Sequence, residues 1–279
     1  MPPESLNVLQ VDANTKALLE QAYGALVQNY QRQTISQVMR NQNLSGTLTS
    51  GSVRAARYAN SQSQPYGTAR AAGKAQELKE KKVLVEIKEY LEISEEFEEF
   101  DQRTMPGFLQ EVISGRNTNH SDTMARDRES DFFAAGRASG TRAAPNGTTP
   151  DVQFENLVLN VTTLQNEFFH GIDRGMIYVV MSDAAYSAFR ISINREMQNA
   201  NVNTAAENFI MHNGVRVFPS PYLPPGVNRM AMARGAIAMP QLVLPYRVSQ
   251  DPYSYAVILK TAYAMTAAAV MPDTIFWTE

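Results

Sequence analysis

A long polar stretch from Ala59 to Lys82 most constrains what this chain can fold into. It lies between two strand candidates, "SGSVRAARYA" before it and "VLVEIKEYLEI" after it. The second candidate places five apolar side chains on one face of an extended strand, namely Val83, Val85, Ile87, Leu91 and Ile93. The stretch has no Asn-Gly or Asp-Gly turn and few side chains that could form a core. Since compact domains rarely contain such a connection without a function for it, the sequence predicts either a functional extended arm or disorder here.

The composition excludes several classes of protein. The chain has 279 residues, of which 44% are hydrophobic and 19% charged, and these values are typical of a globular protein. A net charge of -3 argues against a dedicated nucleic-acid binder, which needs a basic surface. The absence of cysteine excludes disulfides and thiolate metal sites, and it fits synthesis in a reducing cytoplasm. The first ten residues lack the features of a signal peptide, and the longest apolar stretch, "YAMTAAAVM", is too short to span a bilayer.

The first half of the chain is predicted to contain two helices beside the arm. Apolar side chains recur at helical spacing over residues 14 to 40, which predicts one helix. The segment "NQNLSGTLTSG" then interrupts the pattern, and we expect it to detach this helix from the rest of the fold. After the arm, Thr104 precedes Pro106 at a predicted helix start. Helical spacing continues to about Gly140, as one long helix or as two pieces.

The second half mixes helices and strands. Thr149 precedes a Pro-Asp pair at a predicted helix start, and an apolar stripe runs from Phe154 to Phe168. The strand "GMIYVVMS" follows, Ser182 caps another helix, and Asn213-Gly214 precedes the strand "VRVFPS". Further strands are predicted in "RMAMARGAIAM", "QLVLPYRVS" and "YSYAVILKTAYAMTAAAVM". Because strands and helices do not alternate regularly, the fold class is predicted to be α+β.

Common catalytic motifs are absent from the sequence. There is no G-x-x-x-x-G-K-[ST] phosphate loop, no G-x-S-x-G nucleophile elbow and no H-E-x-x-H motif. The three histidines, His120, His170 and His212, lack the spacing of metal ligands, and we expect each one at the surface or in a linker. We therefore predict that the chain is not an enzyme and has no catalytic residue, no cofactor and no metal site.

Two charged clusters flank the second strand candidate. The acidic cluster consists of Glu95, Glu96, Glu98, Glu99 and Asp101, and it lacks the spacing and the turn glycine of a calcium loop. The basic cluster consists of Lys79, Lys81 and Lys82, with Glu77 and Glu80 interleaved. Each cluster is typical of a solvated surface.

Three segments of the second half resemble parts of one protein family. "RGMIYVVMSDAAYSAFR" is similar to a strand and helix of that family. "NGVRVFPSPYLPPGVNRMAMARGAIAMPQLV" is similar to its strand, proline-containing loop and small-residue return, and "MPDTIFW" resembles its closing strand. Together with the arm and the long helix, these segments follow the order found in the major capsid protein of tailed bacteriophages. The chain therefore resembles the Hong Kong 97-like capsid fold over nearly its whole length.

The resemblance implies a division of the chain into five units. They are an N-terminal arm with a helix (1–50), an extended β-hairpin loop (51–93), a peripheral domain with a long spine helix (94–175), an axial domain (176–245) and C-terminal strands that return to the peripheral domain (246–279). In the family, the extended loop lies across the neighbouring subunit. This placement would explain a polar arm that has no core of its own.

The resemblance also implies a function. The chain would be a structural subunit that is made in the cytoplasm of a bacterial host and assembles into the icosahedral head shell around double-stranded DNA in the virion. Its partners would be copies of itself in pentamers and hexamers, scaffolding and portal proteins, decoration proteins and, non-specifically, the packaged DNA, with no membrane. A cellular encapsulin compartment is an alternative with the same fold. A third alternative is an uncharacterised hydrolase that uses the carboxylates between Glu95 and Asp101.

The charged clusters suggest a contact between subunits. An extended strand rises by about 3.3 Å per residue, so one continuous strand from Val83 to Ile93 would separate the two clusters by roughly 35 Å within one chain. An arm that crosses its neighbour would instead bring the basic residues of one subunit to the acidic residues of the next. The predicted contact residues are Lys79, Lys81, Lys82, Glu95, Glu96, Glu98 and Glu99.

Overall fold

The computed structural model describes residues 13–32, 34–44, 52–61, 79–87, 89–97, 108–196, 210–250 and 256–279. Its helices are α1 (Ala13–Arg32), α2 (Ile35–Met39), α3 (Phe108–Ser139), α4 (Pro150–Thr162) and α5 (Asp183–Glu196). Short 3-10 turns are formed by Arg174–Met176 and Pro272–Thr274. The tip of the predicted arm, the helix start at Thr104, and Glu98 and Glu99 lie outside the described residues.

The strands, in chain order, are β1 (Ser52–Tyr58), β2 (Glu80–Glu86), β3 (Glu89–Phe97), β4 (Thr141–Arg142), β5 (Ile177–Met181), β6 (Ile210–His212), β7 (Val215–Pro219), β8 (Arg229–Ala233), β9 (Ile237–Ala238), β10 (Gln241–Val243), β11 (Arg247–Gln250), β12 (Val257–Met265), β13 (Ala268–Ala269) and β14 (Ile275–Thr278). Helices and strands are mixed without regular alternation. This arrangement confirms the α+β prediction.

A six-stranded sheet has helices packed on both of its faces. Its order is β4-β14-β8-β5-β7-β6, with β5 parallel to β7 and β4 parallel to β14. Every residue of β5 and β8 is buried, as expected for strands that are covered on both faces. Phe154 of α4 and Phe189 of α5 belong to one buried cluster with Val179. Phe132 of α3 belongs to the other cluster with Val180, which points to the opposite face of the same strand.

A second sheet is built around β12. All nine residues of β3 pair with one edge of β12 in antiparallel orientation. The strands β10 and β11 pair, one after the other, with the opposite edge. Leu259 and Tyr263 on β12 are buried in the main core cluster, to which α1 and α3 also contribute. The long helix α3 therefore contacts the cores of both sheets.

The N-terminal region differs from the prediction in two ways. A single helix over 14 to 40 is wrong, because α1 ends at Arg32 and Thr34 is extended, with φ -110° and ψ 134°. The helix restarts as α2, where the Glu129 carboxylate accepts the backbone N–H of Ser36 at 2.7 Å. Detachment of the first helix is also wrong, since Leu26 is fully buried in the core that α3 lines. The spacing identifies the apolar stripe but does not identify α3 as its partner.

Several predicted strands are interrupted. The continuous strand from Val83 to Ile93 is wrong, because β2 pairs with β1 whereas β3 pairs with β12 in a different sheet. The segment "RMAMARGAIAM" is divided into β8 and β9 by a turn at Gly235, where φ is 79°. "QLVLPYRVS" is divided into β10 and β11, and the final long segment into β12 and β13. Alternation continues from Val83 to Ile93, and the other three segments stay mostly apolar across their breaks, so the sequence pattern alone predicts one strand in each case.

Other local predictions are confirmed. The helix α3 is one continuous element of 32 residues, which decides between one helix and two pieces. The Ser182 hydroxyl accepts the N–H of Ala185 at 3.4 Å at the start of α5. Asn213 and Gly214 form the turn between β6 and β7 with φ values of 47° and 82°, a backbone conformation that favours these two residue types. The boundaries of the five implied units stay predictions.

Candidate functional site

The strands β1 and β2 form the base of the predicted arm. They pair in antiparallel orientation over all seven residues of each strand. One face is buried, because Ala55 and Val85 are each 1% exposed and form a small cluster with Val270. The other face is open, with Tyr58 54% and Leu84 57% exposed. The hairpin is therefore anchored on one side and presents apolar and charged side chains on the other.

Arg57 connects the hairpin to two segments that are distant in sequence. Its Nη2 donates to Asp273 Oδ2 at 2.7 Å, and its side chain is 9% exposed. The guanidinium carbon lies 4.1 Å from the ring centre of Phe168, which is a cation–π distance. Its Nε and Nη1 are buried without a hydrogen-bond acceptor among the described residues. The predicted stripe of α4 ends with the helix at Thr162, so Phe168 contacts the hairpin instead of extending that stripe.

The basic cluster is exposed at the start of β2. Lys79, Lys81 and Lys82 are all solvent-exposed. The Nζ of Lys79 lies 3.6 Å from Glu167 Oε2, and the Nζ of Lys82 lies 2.9 Å from Glu80 Oε2. Each of these pairs is exposed enough that it contributes only about 0–1 kcal/mol.

The acidic cluster is not a uniform surface. Glu95 of β3 is half-buried and accepts hydrogen bonds from Arg116 of α3, whereas Glu96 is exposed. Glu98 and Glu99 lie outside the described residues. In the described part of the chain, no ion pair joins a lysine of the basic cluster to Glu95 or Glu96.

His120 of α3 is buried, contrary to the prediction that it lies at the surface or in a linker. It is 1% exposed, and its Nδ1 lies 2.9 Å from the Tyr246 hydroxyl. Its Nε2 lies 3.1 Å from Glu95 Oε2, a short contact that is not aligned as a hydrogen bond. The Tyr246 hydroxyl lies 3.4 Å from Asn117 Oδ1. These contacts join α3, β3 and the β10–β11 connection, and no sequence signal predicts them.

The charge state of the His120 imidazole follows from its burial. Desolvation lowers the pKa of His120, and the nearby Glu95 carboxylate opposes this effect only in part. A neutral imidazole with its proton on Nε2 leaves Nδ1 free to accept from the Tyr246 hydroxyl and keeps the Nε2 proton near the Glu95 carboxylate. Hydrogen bonding from Arg116 lowers the pKa of Glu95, so the carboxylate is ionised at neutral pH.

A buried polar network fixes α2 against α3. Arg128 is fully buried, and its Nε donates to the Ser36 hydroxyl at 2.9 Å while its Nη2 donates to Gln37 Oε1 at 2.8 Å. Next to it, burial raises the pKa of Glu129, whose carboxylate caps α2. Removal of one member of such a network leaves the others buried without partners, which is costly.

A cavity of about 360 Å³ lies between the hairpin, β3 and α3. Three carboxylates line it, those of Glu86, Glu89 and Asp131, beside small residues of α3. Burial, followed by the charge of Glu89, raises the pKa of Asp131 to about 6, and Asp127 acts in the same direction. The joint between the arm and the long helix therefore contains a carboxyl group that titrates in mildly acidic solution.

The hydrolase alternative names the carboxylates from Glu95 to Asp101, of which Glu95 and Glu96 lie among the described residues. The pKa of Glu95 is lowered by Arg116, whereas a general acid needs a raised pKa. Among the described residues, no group of three or more metal-ligating side chains could hold a metal ion. Within the same described ranges, no helix is both long enough and apolar enough to cross a membrane.

Comparison with known proteins identifies the fold. No family model and no curated protein sequence matches the chain. Among solved structures, the capsid of the cyanophage P-SCSP1u matches with a TM-score of 0.63 at 12% identity, over 88% of this chain and 87% of the other. The structure from Mycobacterium phage Che8 matches with a TM-score of 0.60 at 13% identity, over 83% and 85%. The SrpI encapsulin of Synechococcus elongatus matches with a TM-score of 0.55 at 12% identity, over 85% and 84%. The chain therefore has the Hong Kong 97-like fold that the sequence predicted.

Proposed function

We propose that this chain is the major capsid protein of a tailed bacteriophage, a subunit that assembles with copies of itself into pentamers and hexamers of an icosahedral DNA-containing shell. The observation that carries the proposal is the match, over most of both chains, to capsid and head structures of several phages. The open face of the β1–β2 hairpin supports it, because a shell subunit needs exposed surface that a neighbouring copy covers. The virion would then be the place where the protein functions.

The test of this proposal is assembly. The full-length protein is expressed with the products of its neighbouring genes, and the purified material is examined by negative-stain electron microscopy. Closed shells of uniform diameter are expected, with nuclease-protected DNA when the packaging proteins are present. A protein that stays monomeric at every concentration and in every combination of gene products would contradict the proposal.

The encapsulin compartment remains a second candidate function. Two structures fit it as related folds, the SrpI encapsulin and a virus-like particle from Pyrococcus furiosus, which matches with a TM-score of 0.56. The contents of purified particles separate the two functions. Shells that contain a co-expressed enzyme and no DNA would assign the encapsulin function, whereas protected double-stranded DNA would assign the capsid function.

The arm is proposed to contact the neighbouring subunit. The backbone N–H of Ala59 donates to Lys79 O at 3.0 Å, so the two strands are still joined at this point. Replacing residues 60–78 by a two-residue Asn-Gly turn would close the hairpin at this pair, since that dipeptide suits a tight hairpin. The shortened protein is expected to keep the melting temperature of the wild-type subunit and to form no closed shells. Shells of normal size from the shortened protein would show that the arm is not a main assembly contact.

Charge pairing between subunits is proposed to contribute to the same contact. The basic side chains Lys79, Lys81 and Lys82 are exposed, and Glu96 is exposed on β3, whereas Glu95 already pairs with Arg116. Each exposed pair contributes about 0–1 kcal/mol, so only the repetition of the pairs around a ring gives a measurable effect, and salt weakens it.

The experiment for this pairing is a charge reversal. Changing Lys79, Lys81 and Lys82 together to Glu is expected to impair assembly. Changing Glu96, Glu98 and Glu99 to Lys in the same chain, with Glu95 left paired to Arg116, is expected to restore it in part. A matched control reverses three exposed arginines elsewhere, Arg126, Arg216 and Arg247, and is expected to assemble better than the lysine triple variant. Equal failure of the rescued and unrescued proteins would refute the pairing and leave the shell function intact.

Further partners follow from the same proposed function. Scaffolding, portal and decoration proteins would bind the subunit or the shell, and packaged DNA would touch it without sequence specificity. Co-purification of tagged neighbouring gene products with the shells tests each protein partner separately.

A further inference from the structure

A second cavity lies between the end of α2 and the turn that joins β8 to β9. Its volume is about 290 Å³, and it is lined by Arg40, Asn41, Gln42, Asn43, Met176, Arg234 and Gly235. Two of these residues are cationic, three carry amide side chains, and none is acidic. A wall of this composition favours an anion over a cation, because it carries two guanidinium groups and no carboxylate.

Backbone hydrogen bonds hold the two walls of this cavity together. Asn41 N donates to Ile237 O at 2.8 Å, and Gly235 N donates to Met39 O at 2.9 Å. The side chain of Asn41 fixes the loop that follows it, since its Oδ1 accepts the backbone N–H groups of Asn43 and Leu44 at 3.1 and 3.2 Å. The cavity is thus preformed and would not have to order a flexible loop when a ligand binds.

The side chains at its mouth retain hydrogen-bond donors. Arg234 is exposed and makes no ion pair with any described carboxylate. Gln42 and Asn43 are exposed, and their amide groups make no hydrogen bond with the described residues. Arg40 lies deeper, 8% exposed, and its Nη1 donates to Met239 O at 3.4 Å. The donors therefore approach from both walls and at two depths.

We propose that this cavity binds a phosphate group. Arginine and amide side chains are among the groups that proteins use to contact phosphate oxygens. The oxygens of a phosphate point in several directions, so it can meet donors from both walls, whereas the lone pairs of a carboxylate lie close to one plane. The inference deepens the proposed shell function and rests on it in one respect, since a shell that encloses DNA holds phosphodiesters at high local concentration. The phosphate could also be free in solution, and the experiment separates these two sources.

The experiment compares the full-length wild-type protein with Arg234→Gln, which removes one charge at the exposed mouth of the cavity. The matched control is Arg247→Gln, which removes one exposed charge on β11, outside the cavity. In the first arm, a fluorescein-labelled 20-base-pair DNA is titrated with each protein, and anisotropy is read at several salt concentrations. Arg234→Gln is expected to raise the Kd about 3- to 10-fold and to lower the salt slope by about 1, as loss of one phosphate contact does. The control is expected to change the Kd less than about twofold.

The second arm uses inorganic phosphate against chloride at equal ionic strength and reads the melting temperature. Phosphate is expected to raise the melting temperature of the wild-type protein and of the control, and to raise that of Arg234→Gln less, because a ligand that binds the folded state stabilises it. If Arg234→Gln and the control differ only in their response to inorganic phosphate, the cavity is a phosphate site but does not bind DNA. Equal behaviour of Arg234→Gln and Arg247→Gln in both arms would overturn the proposal.

The shells of each variant are also examined by microscopy. Normal shells from Arg234→Gln together with unchanged phosphate and DNA binding would refute the cavity as a site and leave the shell function standing. Absence of shells from the wild-type protein would refute the shell function, whatever the binding assays show.

Discussion

Replacement of Arg57 by Met tests whether the hairpin is anchored through its charged and aromatic contacts. Methionine keeps a long unbranched side chain but loses the charge and the planar guanidinium. The ion pair with Asp273 at 2.7 Å is a charge-assisted hydrogen bond, and such bonds contribute about 1.5–3 kcal/mol. The contact with Phe168 at 4.1 Å adds about 0.5–2 kcal/mol.

The solvent exposure of Asp273 sets the upper limit of the stability that Arg57→Met can lose. Loss of one partner from a fully buried ion pair costs about 3–5 kcal/mol, because the other charge stays buried and unpaired. Asp273 is 34% exposed, so water can solvate its carboxylate once Arg57 is gone. We therefore expect Arg57→Met to lower the free energy of unfolding by about 2–4 kcal/mol.

Urea unfolding of the unassembled subunit measures this change, with the fluorescence of Trp277, the single tryptophan, as the signal. The matched control is Arg54→Met, an exposed cation on the same strand, which is expected to change stability by less than about 0.5 kcal/mol. Combining Arg57→Met with Asp273→Asn is expected to cost about 1–2 kcal/mol less than the sum of the single changes. A loss no larger than that of Arg54→Met would refute the anchoring role of Arg57.

Three further predictions concern the long helix α3 and are measured by urea unfolding. Gly140→Ala, directly after the end of α3, is expected to cost about 1–3 kcal/mol, since a Cβ there would lie 2.7 Å from Gly136 O and from Ile275 Cγ2. Gly115→Ala, inside α3, meets nothing within 4 Å and is expected to gain about 0.5–1 kcal/mol. Between pH 7.5 and 5.5 the wild-type protein is expected to lose stability relative to a His120→Gln variant, because the pKa of His120 is lower in the folded than in the unfolded state. The raised pKa of Asp131 acts with the opposite sign but is common to both proteins, so equal slopes of the two would refute this. Asp131→Asn is expected to gain about 0.5–1 kcal/mol at pH 7.5 and nothing at pH 4, because the pKa of Asp131 is raised to about 6 in the fold and its ionised form is the destabilising one; a gain at both pH values would contradict that cause.

Much of the fold could be predicted because many of its segments carry their own local signals. Asn213 and Gly214 tolerate positive φ and so specify a turn. The hydroxyl of Ser182 accepts a backbone N–H and so specifies a helix start. The five consecutive buried residues of β5 identify a covered strand. Such features depend on few neighbours, so the sequence alone contains the physical reason for them.

The remaining features depend on partners that are distant in the chain. The break before α2 is supported by Glu129, a residue 93 positions away from Ser36, and no local pattern contains that hydrogen bond. The burial of His120 likewise depends on Tyr246, 126 residues away. The break between β2 and β3 could not be predicted, because both strands alternate with the same period while they pair with different partners.

The same reason limits what the sequence predicts about the candidate site. The exposed lysines of the basic cluster could be predicted, since lysine is rarely buried. The engagement of Glu95 by Arg116 could not, because the two residues meet only when β3 and α3 pack together. Within the predicted contact, the structure therefore distinguishes an acidic residue that is already paired from Glu96, which is exposed.

The unbroken length of α3 has a mechanical consequence. A helix of 32 residues is about 48 Å long and behaves as a rigid rod. At its C-terminal end, Gly136 and Gly140 allow Met230 and Ile275 to approach the helix closely, so this end is held against the six-stranded sheet. At its other half, the helix contacts β3 through Arg116 and His120. A rotation of about 5° around the held end would displace the opposite end by about 4 Å. A small change in the angle between α3 and the six-stranded sheet would thus move the sheet around β12 by several ångströms, without any change in the internal structure of either sheet.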